Sequence, residues 1–243
     1  MTVQWIAHRG FRAIAPENTL AAIRQAISLG ADGLEFDVQR SQDGALVVFH
    51  DATLERTTNG QGALATKTLA ELKTLDAGRW FAPAFAGEQI PSLAEVLASC
   101  QEHPLHLYPE IKATQDWTAA QIQELARFCD NATWRDRTTC CAFDAPFLDQ
   151  LRGFAPHISV AYCVSNWAQY QQVWPRITKD DSGKVALSIA DALLVAHPDC
   201  WSAAQTRQIP VLVWTVNGRS RQRQLQELGV RGIITDGVPE EKR

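Results

Sequence analysis

The sequence predicts an α/β fold, a (β/α)8 barrel with a small insertion after its second strand, and three observations lead there. Eight short apolar runs recur along the 243 residues, and most are continuous rather than alternating. Strands covered on both faces read that way, as in parallel sheets. Helix-forming stretches separate the runs, which is the alternation of a β/α barrel. The exception is the interval from about 40 to 90, where no simple crossover helix can be placed.

Taken in order, the predicted strands are 4–8 (QWIAH), 33–39 (GLEFDVQ), 106–112 (HLYPEIK), 138–143 (TTCCAF), 158–163 (ISVAYC), 191–196 (DALLVA), 211–216 (VLVWTV) and 231–235 (RGIIT). The first helix follows Pro16, with Asn18-Thr19 at its start, Leu20, Ile23 and Ile27 on one face and Gly30 at its end. Further helices are expected near 118–129, 146–153, 167–174, 202–207 and 220–228. The last of these sets Leu225 and Leu228 on one side and stops at Gly229.

In the exceptional interval, Ser41-Gln42-Asp43-Gly44 is a turn signal followed by the apolar run 45–49. That run follows the second strand too closely for a parallel crossover, so it reads as the return arm of a hairpin. The remainder, to Pro91, holds the loop Asn59-Gly60-Gln61-Gly62 and a short helix at Leu69-Ala70-Glu71-Leu72. An aromatic stretch with Trp80, Phe81 and Phe85 follows. The helix due after strand two then comes late, at 92–101. The expected organisation is one domain over 1–243, with residues 41–91 as an insertion within it.

Composition narrows the function classes. Lys+Arg is 23 against Asp+Glu 27, a formal charge of −4. That lacks the basic excess of a general nucleic-acid binder. No run of 18 apolar residues implies a transmembrane helix. The N-terminus shows no signal-peptide pattern, and the six cysteines form no Cys-x-x-Cys. Reduced, mostly buried thiols in a cytoplasmic protein are expected.

In a barrel the chemistry sits where strands end and loops begin. The polar residues there are His8-Arg9-Gly10, Glu35-Phe36-Asp37, His50-Asp51, Glu110-Ile111-Lys112, Asp144, Asn217 and Asp236. Glu35 and Asp37, two apart on a strand, share a face and repel unless a cation lies between them. Glu110 adds a third oxygen donor, and three carboxylates without cysteine suit one hard divalent ion, Mg²⁺ or Ca²⁺. Imidazole titrates at about pH 6.5, so His8 and His50 can serve as an acid/base pair. Arg9 and Lys112 add positive charge suited to phosphate oxygens. Such a set describes a phosphoryl-transfer pocket.

The motifs His8-Arg9-Gly10, Pro16-Glu17-Asn18-Thr19, Glu35-x-Asp37, Asp43-Gly44…Val48-x-His50-Asp51, Glu110-x-Lys112, Trp214-Thr215-Val216-Asn217 and Thr235-Asp236 run in order along the chain. Together they resemble the glycerophosphodiester phosphodiesterase family. The resemblance implies a (β/α)8 barrel with an insertion after strand two. It also implies metal-dependent hydrolysis of glycerophosphodiesters to glycerol 3-phosphate and an alcohol. Carried over by position, it makes Glu35, Asp37 and Glu110 the metal ligands, His8 and His50 the acid/base histidines, and Arg9 and Lys112 the phosphate contacts.

Several roles stay open. Asn18 is a helix cap or a site residue, and Trp214 walls the substrate pocket or packs in the core. Asp236 is expected to end the last strand through backbone bonds. Tyr108-Pro109 stands where many relatives carry an aliphatic residue and Asn, and Pro109 predicts a local distortion beside the acids. The first nucleophile is water or the substrate's own hydroxyl, with His50 the favoured acid. The expected partner is a small-molecule glycerophosphodiester, with no nucleic acid and no stable membrane insertion; the oligomeric state stays unknown. Two other readings compete. One is action on lysophospholipids at a membrane, with residues 78–87 as an apolar rim. The other is a non-catalytic module that binds a phosphate ligand.

Overall fold

The computed structural model describes residues 3–112, 114 and 117–239. The fold is the predicted (β/α)8 barrel. The chain runs β1 (Gln4–His8), α1 (Leu20–Ser28), β2 (Gly33–Arg40), β3 (Leu46–Val48), α2 (Leu69–Leu72), α3 (Leu93–Cys100), β4 (His106–Ile111), α4 (Ala119–Cys129) and β5 (Thr139–Ala142). It continues through α5 (Ala145–Phe154), β6 (Ser159–Val164), α6 (Trp167–Lys179), β7 (Val185–Ala190), α7 (Asp191–Ala196), α8 (Asp199–Thr206), β8 (Val211–Trp214), α9 (Arg219–Leu228) and β9 (Gly232–Thr235). All of these strands are parallel except β3, the short return arm of the predicted hairpin, which pairs antiparallel with β2.

The chain divides into two compact units. One comprises Ile6–Ala113 and Asp236–Arg243, the other Met1–Trp5 and Thr114–Thr235. In the first, β2 lies between β1 and β4, with His8 level with Glu35 and Asp37 level with Glu110. Every residue of β2 except Arg40 is buried, which explains its unbroken apolar reading around two acids. In the second unit, β5 to β9 pair in sequence order.

The insertion has its own small core. Val47, Phe49, Leu54, Leu64, Leu72, Ala77 and Ile90 are buried together, with Leu69 and Leu75 packed against them. The helices α2 and α3 each begin with a capping box, Thr68 with Glu71 and Ser92 with Glu95, in which side chain and backbone satisfy each other's exposed donors. Gly78 is obligatory, because a Cβ there would stand 1.9 Å from the Phe85 carbonyl oxygen.

Three expectations need correction, and the choice left open at Asn18 is settled. Residues 191–196 form a helix, and the strand is the preceding run, Val185–Ala190. Both runs are six residues and largely apolar, so periodicity alone does not separate them. Asp191 decides the matter, since an acid in the first turn of a helix complements its dipole. In α9, Leu225 is buried but Leu228 is 41 % exposed, and Gln222 takes the second inward position. The cap of α1 is Thr19, whose side chain accepts from the Ala22 N–H, so Asn18 is released for other bonds. Pro109 does not distort the β2–β4 pairing, whose register runs unbroken from Gly33↔His106 to Val38↔Ile111. The N–H groups of His106 and Lys112 donate toward β2, so donors on that side come from even positions. Pro109 is odd, and its missing N–H costs no bond there.

The turn after β1 depends on Gly10. Its φ is +75°, and a Cβ would lie 2.6 Å from the Ala22 carbonyl carbon and Cβ. Gly10→Ala is expected to cost about 2 kcal/mol or more, from left-handed strain and overpacking together. Thermal unfolding should show a fall of at least several degrees; an unchanged Tm would refute this account of the turn.

Candidate active site

Strand register gathers the acids. Glu35 and Asp37 project from one face of β2, and Glu110 comes from the β4 position level with Asp37. One carboxylate oxygen from each of the three lies within 4.8 Å of the others. Lys112 Nζ stands 3.1 Å from Asp37 Oδ1 and also pairs with Glu110. Arg9 Nε lies 3.2 Å from Asp37 Oδ2, and the Arg9 backbone N–H donates to Glu35 Oε2 at 3.1 Å. Asn18, with φ +59°, turns its amide inward and donates to Asp37 Oδ2 at 2.8 Å.

The three acids are not equivalent. Burial, then the charges of Asp37 and Glu110, pushes the Glu35 carboxyl well above its ordinary value. Burial and Asp37 raise Glu110 likewise, against Lys112. Burial also acts to raise Asp37, but Lys112, Arg9, His50 and the Asn18 amide together hold it below the usual carboxylate range. The cluster is therefore stable as an anion at Asp37 and short of positive charge at its other two members.

Both histidines are anchored through Nδ1. His8 Nδ1–H donates to Asp236 Oδ1 at 2.5 Å, leaving Nε2 3.9 Å from Glu35 Oε2. His50 Nδ1–H donates to Asp51 Oδ1 at 2.6 Å. Burial, opposed by Asp236, lowers the pKa of His8. His50 is carried by the insertion, and its flanks are tied to β2. The Phe49 N–H donates to the Asp37 carbonyl, and Gln39 Nε2 donates to the carbonyls of Phe49 and Asp51.

Sequence reasoning brought together Glu35, Asp37, Glu110, His8, His50, Arg9 and Lys112, and the structure places all seven in the first unit. It understated Asp236. The backbone carbonyl of that residue does accept from the Ala13 N–H, as expected of a strand terminus, but its carboxylate also orients His8. Glu17 and Asp51 stood in the quoted motifs without an assigned role, and Arg56 was missed. The His-Asp dipeptide at 50–51 was the signal available for Asp51, whereas nothing local marks Arg56. Trp214 belongs to the second unit. It ends β8, stands edge-on to the exposed Phe143 with ring centroids 5.8 Å apart, and its buried Nε1 has no hydrogen-bond partner among the described residues. All six cysteines are buried, and none is joined in a disulfide among the described residues. Among the described residues, no helix is long and apolar enough to cross a membrane.

Known proteins share this sequence pattern and this fold. A sequence model of the Glycerophosphoryl diester phosphodiesterase family matches residues 8–240. A glycerophosphodiester phosphodiesterase of Caldanaerobacter subterraneus subsp. tengcongensis is 33 % identical over 231 residues, covering 95 % of this chain and 93 % of the relative. One from Bacillus altitudinis is 31 % identical over 235 residues, with the same shares covered. A phosphodiesterase of Oleispira antarctica, solved with the product sn-glycerol-3-phosphate, superposes with a TM-score of 0.80 at 29 % identity, covering 98 % of this chain and 94 % of that one. The order of the motifs, the fold and these likenesses agree: the chain belongs to the glycerophosphoryl diester phosphodiesterase family.

Proposed function

We propose that this chain hydrolyses glycerophosphodiesters to glycerol 3-phosphate and an alcohol, using one divalent cation, Mg²⁺ or Ca²⁺, and the histidine pair His8 and His50. The observation that carries this reading is the carboxylate triad within 4.8 Å beside two imidazoles, each anchored to an aspartate through Nδ1. That anchoring leaves Nε2 of both rings for proton transfer to or from a bound substrate.

The donor set fits a hard divalent ion. Five carboxylates (Glu17, Asp37, Asp51, Glu110 and Asp236) meet four fixed cations (Arg9, Arg12, Arg56 and Lys112) in one ion-pair network, and Glu35 adjoins it through the Arg9 backbone N–H and His8 Nε2. With Glu35 added, six carboxylates stand against four fixed cations, so with both histidines neutral the group lacks two positive charges. Glu35, Asp37 and Glu110 would hold the ion, with oxygen donors only. Bound there, it supplies Lewis-acid stabilisation of phosphoryl charge.

The chain's own groups do the rest. Arg9 and Lys112 neutralise the phosphodiester oxygens as charge builds in the transition state. One histidine takes the proton of the attacking hydroxyl, and the other, His50 in our reading, protonates the departing alkoxide.

Release of glycerol 3-phosphate from glycerophosphocholine tests the reading. Activity is expected to vanish after EDTA treatment and to return with Mg²⁺ or Ca²⁺. Activity that survives complete removal of metal would refute the role given to the triad, and no release under any metal would refute the substrate class.

A further inference from the structure

The ion-pair network has a hub that none of the roles above uses. Arg56, in the insertion, faces two carboxylates with different edges of its guanidinium. Nε lies 2.5 Å from Asp51 Oδ2 and Nη2 2.9 Å from Asp51 Oδ1. Nη1 and Nη2 lie 3.0 and 2.8 Å from Glu17 Oε2 and Oε1. Both pairs are bidentate, the arrangement in which arginine sets direction as well as charge. Each carboxylate in turn holds one working residue: Asp51 Oδ1 accepts from His50 Nδ1–H, and Glu17 Oε1 accepts from Arg9 Nη1 at 2.7 Å.

We propose that Arg56 is a positioning residue, a two-sided clamp that sets the acid/base histidine His50 through Asp51 and the phosphate-holding Arg9 through Glu17. The proposal rests on the function stated above for its kinetic consequences, though not for its geometry. Its physical basis is the difference between the two carboxylates. Glu17 is buried, so it needs its cations; without Arg56 it keeps Arg9 and, at 3.8 Å, Arg12, while Arg9 is drawn toward Asp37 as well. Asp51 is partly exposed, and without Arg56 it can swing to water and take its hydrogen bond from His50 with it. A lysine at position 56 offers one compact charge and cannot span both carboxylates bidentately.

Two readouts distinguish this from a merely structural role. In steady-state assays on glycerophosphocholine, Arg56→Ala is expected to lower kcat by about 10- to 100-fold, the range typical for supporting contacts in metal sites. KM should rise as well, because the Arg9 side is loosened. Millimolar guanidinium chloride should restore part of kcat where sodium chloride of equal ionic strength does not, and Arg56→Lys should fall between Arg56→Ala and the unaltered protein. The second readout needs no activity. Nitrogen chemical shifts should show neutral His50 as the Nδ1–H tautomer in the unaltered protein, moving toward Nε2–H in Arg56→Ala. Kinetic constants within twofold and an unchanged tautomer would overturn the clamp. If Arg56→Ala does not fold, the same result for a folded Arg56→Lys overturns it. If the unaltered protein releases no glycerol 3-phosphate, the function fails, and the tautomer comparison alone decides the clamp.

Discussion

His50→Ala is expected to lower kcat by about 10²- to 10⁴-fold on glycerophosphocholine, the range for loss of a positioned general acid or base. Substrate affinity should survive, because Arg9, Lys112 and the acids do not depend on the imidazole for their contacts. Among the described residues the ring hydrogen-bonds to Asp51, and His50 is half-buried, so the fold should tolerate the change. Unfolding experiments should show a Tm close to that of the unaltered protein. The leaving group sharpens the test. A substrate whose alcohol leaves readily without protonation, such as a nitrophenyl ester, should recover much of the lost rate if His50 is the acid. Equal loss on both substrates would give the acid's role to His8, and near-normal turnover on both would remove His50 from the mechanism.

Glu35→Gln separates function from stability. The amide keeps the shape and can still accept the Arg9 backbone N–H that Glu35 Oε2 takes at 3.1 Å. It removes one of three proposed ligands, so activity should fall at least about 100-fold, since even contacts outside a metal's first ligands cost up to that much. The metal-free protein should become more stable. Burial and the neighbouring acids disfavour the ionised Glu35, and the neutral amide escapes that cost. One kcal/mol is about 2–4 °C of Tm for a chain of this size, so a rise of a few degrees is the scale to look for. The pH dependence follows. With its native pKa raised, Glu35 holds its proton in the folded state after the unfolded chain has lost it. Stability of the metal-free protein should therefore fall as pH rises from the ordinary glutamate value, about 4.3, through the raised native value. Glu35→Gln should lack much of that decline, the remainder coming from Glu110, whose carboxyl is raised in the same way. A variant less stable than the unaltered protein at neutral pH without metal would contradict the charge assignment.

Much of this was legible in the amino-acid order. Strand-end position and two-residue spacing placed Glu35 and Asp37 on one face, and pairing of β2 with β4 brought Glu110 beside them. The hairpin at 45–49 was legible because a parallel crossover needs more chain than the interval offers. The seventh strand was not, since Val185–Ala190 and Asp191–Ala196 are adjacent apolar runs of equal length. Asn18 was ambiguous for a related reason. Asn and Thr are both good caps, and only the backbone at Asn18, with φ +59°, shows that Thr19 closes the helix while Asn18 serves Asp37.

The sequence by itself determined the barrel, the insertion after strand two and the residues gathered at the strand ends, because hydrophobic period and residue spacing are local quantities that survive without coordinates. Only the tertiary structure decided which carboxylate serves which cation. Asp236 meets His8 across 228 positions of chain, and Arg56 reaches Glu17 across 39. Those pairings depend on which loops the folded chain brings together and on burial that makes a partner necessary, and neither is written in the spacing of neighbouring residues.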